Sequence, residues 1–85
     1  MEDLKKLINI GPEIAKQLNE VGIKSEKQLK EVGSKKAWLK IQEIDESACY
    51  NRLLGLEGAI QNVKKVFLSD EVKTDLKDFY NNHKK

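Results

Sequence analysis

Ile8-Asn9-Ile10-Gly11-Pro12-Glu13-Ile14-Ala15 is the stretch on which the reading of the fold turns. Asn9 and Gly11 both tolerate left-handed backbone, so the chain can reverse sharply there. Pro12 suits the first position of a new helix, because no helix would satisfy its missing N–H and its fixed φ is already helical. Glu13 adds a negative charge at the positive end of that helix. Upstream, Leu4, Leu7 and Ile8 stand at i, i+3 and i+4, the spacing of a short helix with Asp3 as its cap. Downstream, Ile14, Ala15, Leu18 and Val21 share one apolar face. Two helices joined by a tight hairpin are therefore expected.

Helical spacing continues to the end of the chain, with no strand-like alternation. Gly22 reads as the residue just past the second helix, which puts Ile23 and Leu18 at the two positions that meet in a Schellman ending. Ser25-Glu26-Lys27-Gln28 has the form of a capping box opening a third helix, which Gly33 stops. Ser34 is expected to cap a fourth helix carrying Ala37, Trp38, Leu39, Ile41 and Ile44, with Trp38 in the core unless exposed as part of a partner surface. Asp45-Glu46-Ser47 is a turn signal. The fifth helix is expected over Ser47–Val66 and is the most apolar. Gly55 and Gly58 lie inside it, each costing about 1 kcal/mol relative to alanine, which points to close approach by another helix. Ser69 caps a sixth helix with Val72, Leu76, Phe79 and Tyr80 as its buried stripe, and residues 81–85 are expected to fray. The fold class is all-α: a single domain over 1–85, its core at about 4–80, built as a compact bundle of five to six short helices with the hairpin unit at its N-terminal end.

Composition excludes several function classes. Hydrophobic residues are 39% of the chain and charged ones 35%, enough apolar content to fold. No apolar run is long enough to span a membrane, and Met1-Glu2-Asp3-Leu4 lacks the basic and apolar segments of a secretory leader. A lone cysteine, Cys49, can form no internal disulfide, and no Cys/His set has metal-ligand spacing. No metal, no cofactor and a cytoplasmic setting are the expectations. The single histidine, His83, falls in the expected tail and Cys49 in the apolar helix as a buried thiol, so no general base or nucleophile is in view and no enzyme is expected. Glu57 stands among leucines, and of its two readings, a place on the exposed stripe of the helix with Gln61 or a partly buried carboxylate that accepts hydrogen bonds from the N-terminus of another helix, the second is favoured.

The hairpin residues match the helix–hairpin–helix pattern, in which an apolar residue sits between two small ones before the second helix. Exposed amides at a helix N-terminus favour an anion, so Asn9, Ile10 and Gly11 are candidate phosphate contacts. The net charge is only +2, but residues 24–40 hold a lysine surplus, of which Lys24, Lys27, Lys35 and Lys36 are candidate nucleic-acid contacts. Glu13 opposes such binding, and Arg52 is the only arginine, which leaves little capacity for bidentate base reading.

The succession Leu7–Pro12, Val21–Ser25, Leu29–Gly33 and Asn51–Ala59, above all the Leu53-Leu54-Gly55-Leu56-Glu57-Gly58-Ala59 helix, resembles the C-terminal domain of the TfoX/Sxy bacterial competence regulators. The resemblance spans about Leu4 to Tyr80. It implies a helical fold related to helix–hairpin–helix domains and a bacterial cytoplasmic protein. It also makes Gly11, Pro12, Gly22, Leu53, Leu56, Glu57, Gly58 and Ala59 fold determinants. Full-length regulators of this type carry a further N-terminal domain, whereas this sequence begins at the C-terminal one and is expected to be stand-alone. The resemblance and the small core point to protein–protein contacts, with another protein or with a second copy. Non-specific DNA binding by the hairpin is the alternative.

Overall fold

The computed structural model describes Leu4 and residues 6–84. Among the described residues five α-helices follow one another: α1 Pro12–Glu20, α2 Glu26–Val32, α3 Ser34–Ile44, α4 Tyr50–Gln61 and α5 Asp70–His83. A short 3-10 turn, Lys65–Phe67, joins the last two. No strand occurs among the described residues, and the all-α class stands. Asp3, expected to cap a helix ahead of α1, lies outside them. Leu4 is fully buried, and its carbonyl accepts from Leu7 N–H at 3.1 Å as the chain enters the hairpin.

The caps explain where helices end. Ile23 N–H donates to Leu18 O at 2.8 Å and Gly22 N–H to Asn19 O at 3.1 Å, the paired bonds of a Schellman ending, with Gly22 at φ 90. Leu18 and Ile23 are both buried, as their spacing implied. Ser25 Oγ accepts from Gln28 N–H at 3.2 Å, while Gln28 Oε1 reaches one residue further back than a standard capping box, to Lys24 N–H at 2.6 Å. Gly33 ends α2 and also stands as the cap of α3. Ser34 is thus the first residue inside α3 rather than its cap, and its hydroxyl is free to reach another helix.

The fifth expected helix is shorter than its composition suggested, running Tyr50–Gln61 rather than Ser47–Val66. At its start, Ser47 N–H and Oγ both turn onto Asp45 Oδ1, which holds the chain in an Asx turn until Cys49. At its end, Asn62 adopts left-handed backbone (φ 59), and Val63 N–H closes on Gly58 O at 2.9 Å, a second Schellman ending with asparagine in glycine's place. Apolar content alone does not show this stop.

α4 is the centre of the molecule. Leu53, Leu54, Leu56 and Ala59 are buried on more than one side of it, between α3 and α5, as expected of a helix that is apolar most of the way round. Trp38 of α3 is fully buried, its Nε1–H donates to Cys49 O at 3.1 Å, and Phe79 and Tyr80 of α5 meet its ring edge-on. The core reading of Trp38 therefore holds. α5 continues through His83, where Gln42 Nε2 donates to His83 O at 2.9 Å and the imidazole stacks on Phe79. Residues 81–83, the start of the tail expected to fray, are helical.

Candidate functional site

The hairpin is fastened to the far end of α4. Asn9 alone takes the left-handed conformation there (φ 70), whereas Gly11 is extended at φ −86. The Asn9 amide is used at both ends: Nδ2 donates to Val63 O at 2.9 Å, and Oδ1 accepts from Lys65 N–H at 3.3 Å. Gly58 makes room for this. A Cβ on Gly58 would strike Asn9 Nδ2 and lie 2.7 Å from Val63 O, and one on Gly55 would touch Asn9 at 3.6 Å. The close approach inferred from the two glycines is real at Gly58 but not at Gly55, and a hairpin side chain and the turn after α4 make it, not another helix.

This arrangement sets what each candidate contact residue can do. Ile10 is buried. Asn9 is turned into the protein, so the outward part of the hairpin is Gly11, Pro12 and Glu13. Helical bonding begins with Ala15 N–H on Gly11 O, so the amides ahead of Ala15 have no helical partner. Glu13 is exposed beside them. Lys35 pairs with Asp75 at 2.7 Å and lies over the Phe79 ring, away from the hairpin's neighbours on α4. Lys24, Lys27 and Lys36 are exposed, in the turn before α2, on α2 and at the start of α3. The structure thus does not bring the lysines and the hairpin amides together through any shared contact.

Two groups of polar residues escaped the sequence reading or were read only in part. Asp45, at the end of α3, accepts from Gln17 Nε2 (2.8 Å) and pairs with Arg52 (3.0 Å), whose Nη1 also donates to Gln17 Oε1 at 3.1 Å. The Ser47 hydroxyl first, then Gln17, Ser47 N–H and Arg52, hold the Asp45 carboxyl well below the usual carboxylate range. The lone arginine is therefore a tie between α1, α3 and α4. Glu57 accepts from Ser34 Oγ at 2.6 Å and from Gln61 Nε2 at 2.6 Å. The expected partly buried carboxylate at another helix's N-terminus is there, although its donor is a side chain. Cys49 is exposed rather than buried, because α4 starts at Tyr50 and leaves Cys49 at its cap. It lines a groove of about 200 Å³ with Asn9, Ile14, Arg52, Gly55 and Lys65.

Among the described residues, the most exposed large apolar side chains lie next to the hairpin, on the 3-10 turn. Val66 is 63% and Phe67 75% exposed, while Leu68 beside them is buried. Lys73 Nζ donates to Val66 O at 3.1 Å, and Lys65 N–H is held by Asn9, so this turn is fixed on both sides.

A family model described as the TfoX C-terminal domain matches residues 1–80. The chain belongs to the TfoX C-terminal domain family. A protein of Listeria monocytogenes solved in a triclinic crystal form and described as uncharacterized is 42% identical, with a TM-score of 0.92 over 93% of this chain and 90% of that one. A tetragonal form, described as a protein of unknown function from the same organism, gives 42% identity and a TM-score of 0.91 over 93% and 98%. No curated protein matches. TfoX C-terminal membership accounts for the Leu53–Ala59 helix on which the resemblance rested, and the Asn9–Gly58 contact gives that segment a physical reason. Among the described residues no helix is long and apolar enough to cross a membrane, and no group of His, Cys, Asp and Glu is placed to hold a metal ion.

Proposed function

We propose that this chain is a non-enzymatic interaction domain of the bacterial cytoplasm. It works through protein–protein contacts in the kind of transcriptional or competence regulation that its family resemblance implies. The observation that carries this reading is the fixed turn that holds Val66 and Phe67 in solvent. Large apolar side chains that a rigid backbone keeps exposed lose little entropy when a partner covers them, so they favour association. Of the side chains best suited to nucleophilic or acid–base chemistry, His83 stacks on Phe79, and Cys49 stands at the N-cap position of α4 without a side-chain capping bond.

A photo-cross-linking amino acid placed at position 67 in living cells tests the reading. A protein adduct at 67 that is absent with the same group at exposed Lys16 is expected. No protein adduct at 67, or equal adducts at both positions, overturns the proposal.

Non-specific DNA binding is the second reading, favoured by the open amides ahead of Ala15. Its contacts would be Gly11 and the exposed Lys24, Lys27 and Lys36. Asn9, Ile10 and Lys35 already have internal roles. It requires micromolar affinity for labelled duplex at low salt that falls steeply as salt rises; no binding in that range removes it.

A further inference from the structure

Helix α5 is divided lengthwise by charge. At 100° per residue its buried stripe is Val72, Leu76, Phe79 and Tyr80. Lys73, Lys77 and Lys84 then share one flank, Glu71, Asp75 and Asp78 share the other, and Asp70 lies on the outer face between them, at the edge of the lysine flank. Contacts place the two flanks against different neighbours. Lys73 reaches Val66 O on the 3-10 turn, whereas Asp75 reaches Lys35 at the start of α3. The lysine flank therefore continues into Lys64, Lys65, Val66 and Phe67, and residues 58–69 contain no acidic side chain. Among the described residues the ion pairs are Lys30–Glu26, Lys35–Asp75 and Arg52–Asp45, so none of these flank or turn lysines is neutralised by a carboxylate.

We propose that the Lys64–Phe67 turn and the Lys73–Lys77–Lys84 flank form one docking strip for a narrow acidic segment of another protein. The segment carries apolar side chains that cover Val66 and Phe67. This rests on the interaction reading above and names the partner's chemistry. Charge complementarity selects the acid, and the width of the strip selects the shape. Glu71, Asp75 and Asp78 lie about one helix diameter from the lysines, roughly 10 Å, comparable with the screening length of about 8 Å at physiological salt. A duplex or a flat anionic bilayer would cover both flanks and meet those acids, whereas a single helix or extended segment laid along the lysines passes Asp70 alone among the acids of α5. Lysine also lacks the fork that makes arginine suited to phosphate. A second copy fits poorly. Its acidic flank offers no large exposed apolar side chain to set against Phe67, and two α5 helices paired along their outer faces would bury Thr74 and Asn81.

The test is a titration of isotope-labelled protein, followed by amide shifts, with a synthetic peptide of glutamates and leucines at i, i+3, i+4 and i+7. Controls are the same peptide with lysine for glutamate, a short DNA duplex and phosphatidylserine vesicles. Shifts confined to the Lys64–Phe67 turn and the Lys73 and Lys77 flank are expected with the acidic peptide alone. Affinity should weaken about tenfold or more in Phe67→Ser and in Lys77→Glu, a loss of about 1.4 kcal/mol or more. No shift at these residues, or shifts there with duplex or vesicles instead of the peptide, overturns the proposal. Sequencing the fragment cross-linked at position 67 separates this inference from the reading beneath it. An acidic segment of another protein supports both. A fragment without acids, or one from this chain itself, ends the acidic-partner inference while protein contact stands. No protein adduct ends both.

Discussion

Asn9 and Gly58 are 49 positions apart and depend on each other. The asparagine holds left-handed backbone, and its amide closes two hydrogen bonds onto the turn after α4 only because Gly58 has no side chain. Gly58→Ala puts a methyl against Val63 O and the Asn9 amide, and backbone cannot yield as a flexible side chain can. A loss of about 1–3 kcal/mol in urea unfolding is expected. Gly55→Ala meets Asn9 only at ordinary van der Waals distance, so the helix propensity of alanine dominates and stability rises by up to about 1 kcal/mol. Asp45 is a second case at this scale. Its folded pKa is lowered, so it contributes stability above its unfolded pKa of about 4, and that contribution fades as pH falls below it toward the folded value. Asp45→Asn should therefore melt lower than the parent at neutral pH, and thermal scans should show the gap closing progressively below about pH 4. Neither pairing was legible beforehand, because each rests on partners remote in sequence. The residue types themselves, an asparagine in a glycine's place and a lone arginine, were the visible traces.

Helices were legible to the extent that their caps are local. Gly22, Ser25, Gly33 and Ser69 mark boundaries through bonds that span a few residues, and the structure places each at a boundary, with Ser69 Oγ accepting from Val72 N–H at 3.2 Å. The ends of α4 were misread because apolar residues continue past Asn62 and begin before Tyr50, and periodicity does not register a left-handed asparagine or an Asx turn. Ser34 shows how one position can be claimed by two elements. Gly33 already closes α2 and caps α3, so the serine hydroxyl spans to α4 and meets Glu57. Glu57→Gln keeps an acceptor but loses the charge and turns an NH2 group toward donors on Ser34 or Gln61. A drop of about 1 kcal/mol is expected, read as a lower melting temperature. An unchanged melting temperature would make the contact energetically idle.

At the scale of the whole molecule, a single core built around α4 leaves one fixed apolar turn outside it. The all-α architecture and the family follow from periodicity and from the Leu53–Ala59 segment. The exposure of Phe67 does not, since an aromatic at a helix junction is as often buried. Stability and surface chemistry should therefore separate. Phe67→Ser is expected to change unfolding free energy by no more than about 0.5 kcal/mol. Trp38→Ala, which empties the fully buried site between α3, α4 and α5, should cost about 3–5 kcal/mol in the same urea titrations.

The hydrogen bond from Trp38 to the Cys49 carbonyl also equips the molecule for spectroscopy. It joins the chain's one indole fluorophore, fully enclosed, to the backbone of its one thiol, which faces solvent. A quencher attached at Cys49 reports a single distance without any engineered label site. Opening of the α3–α4 contact would then register as recovered tryptophan emission.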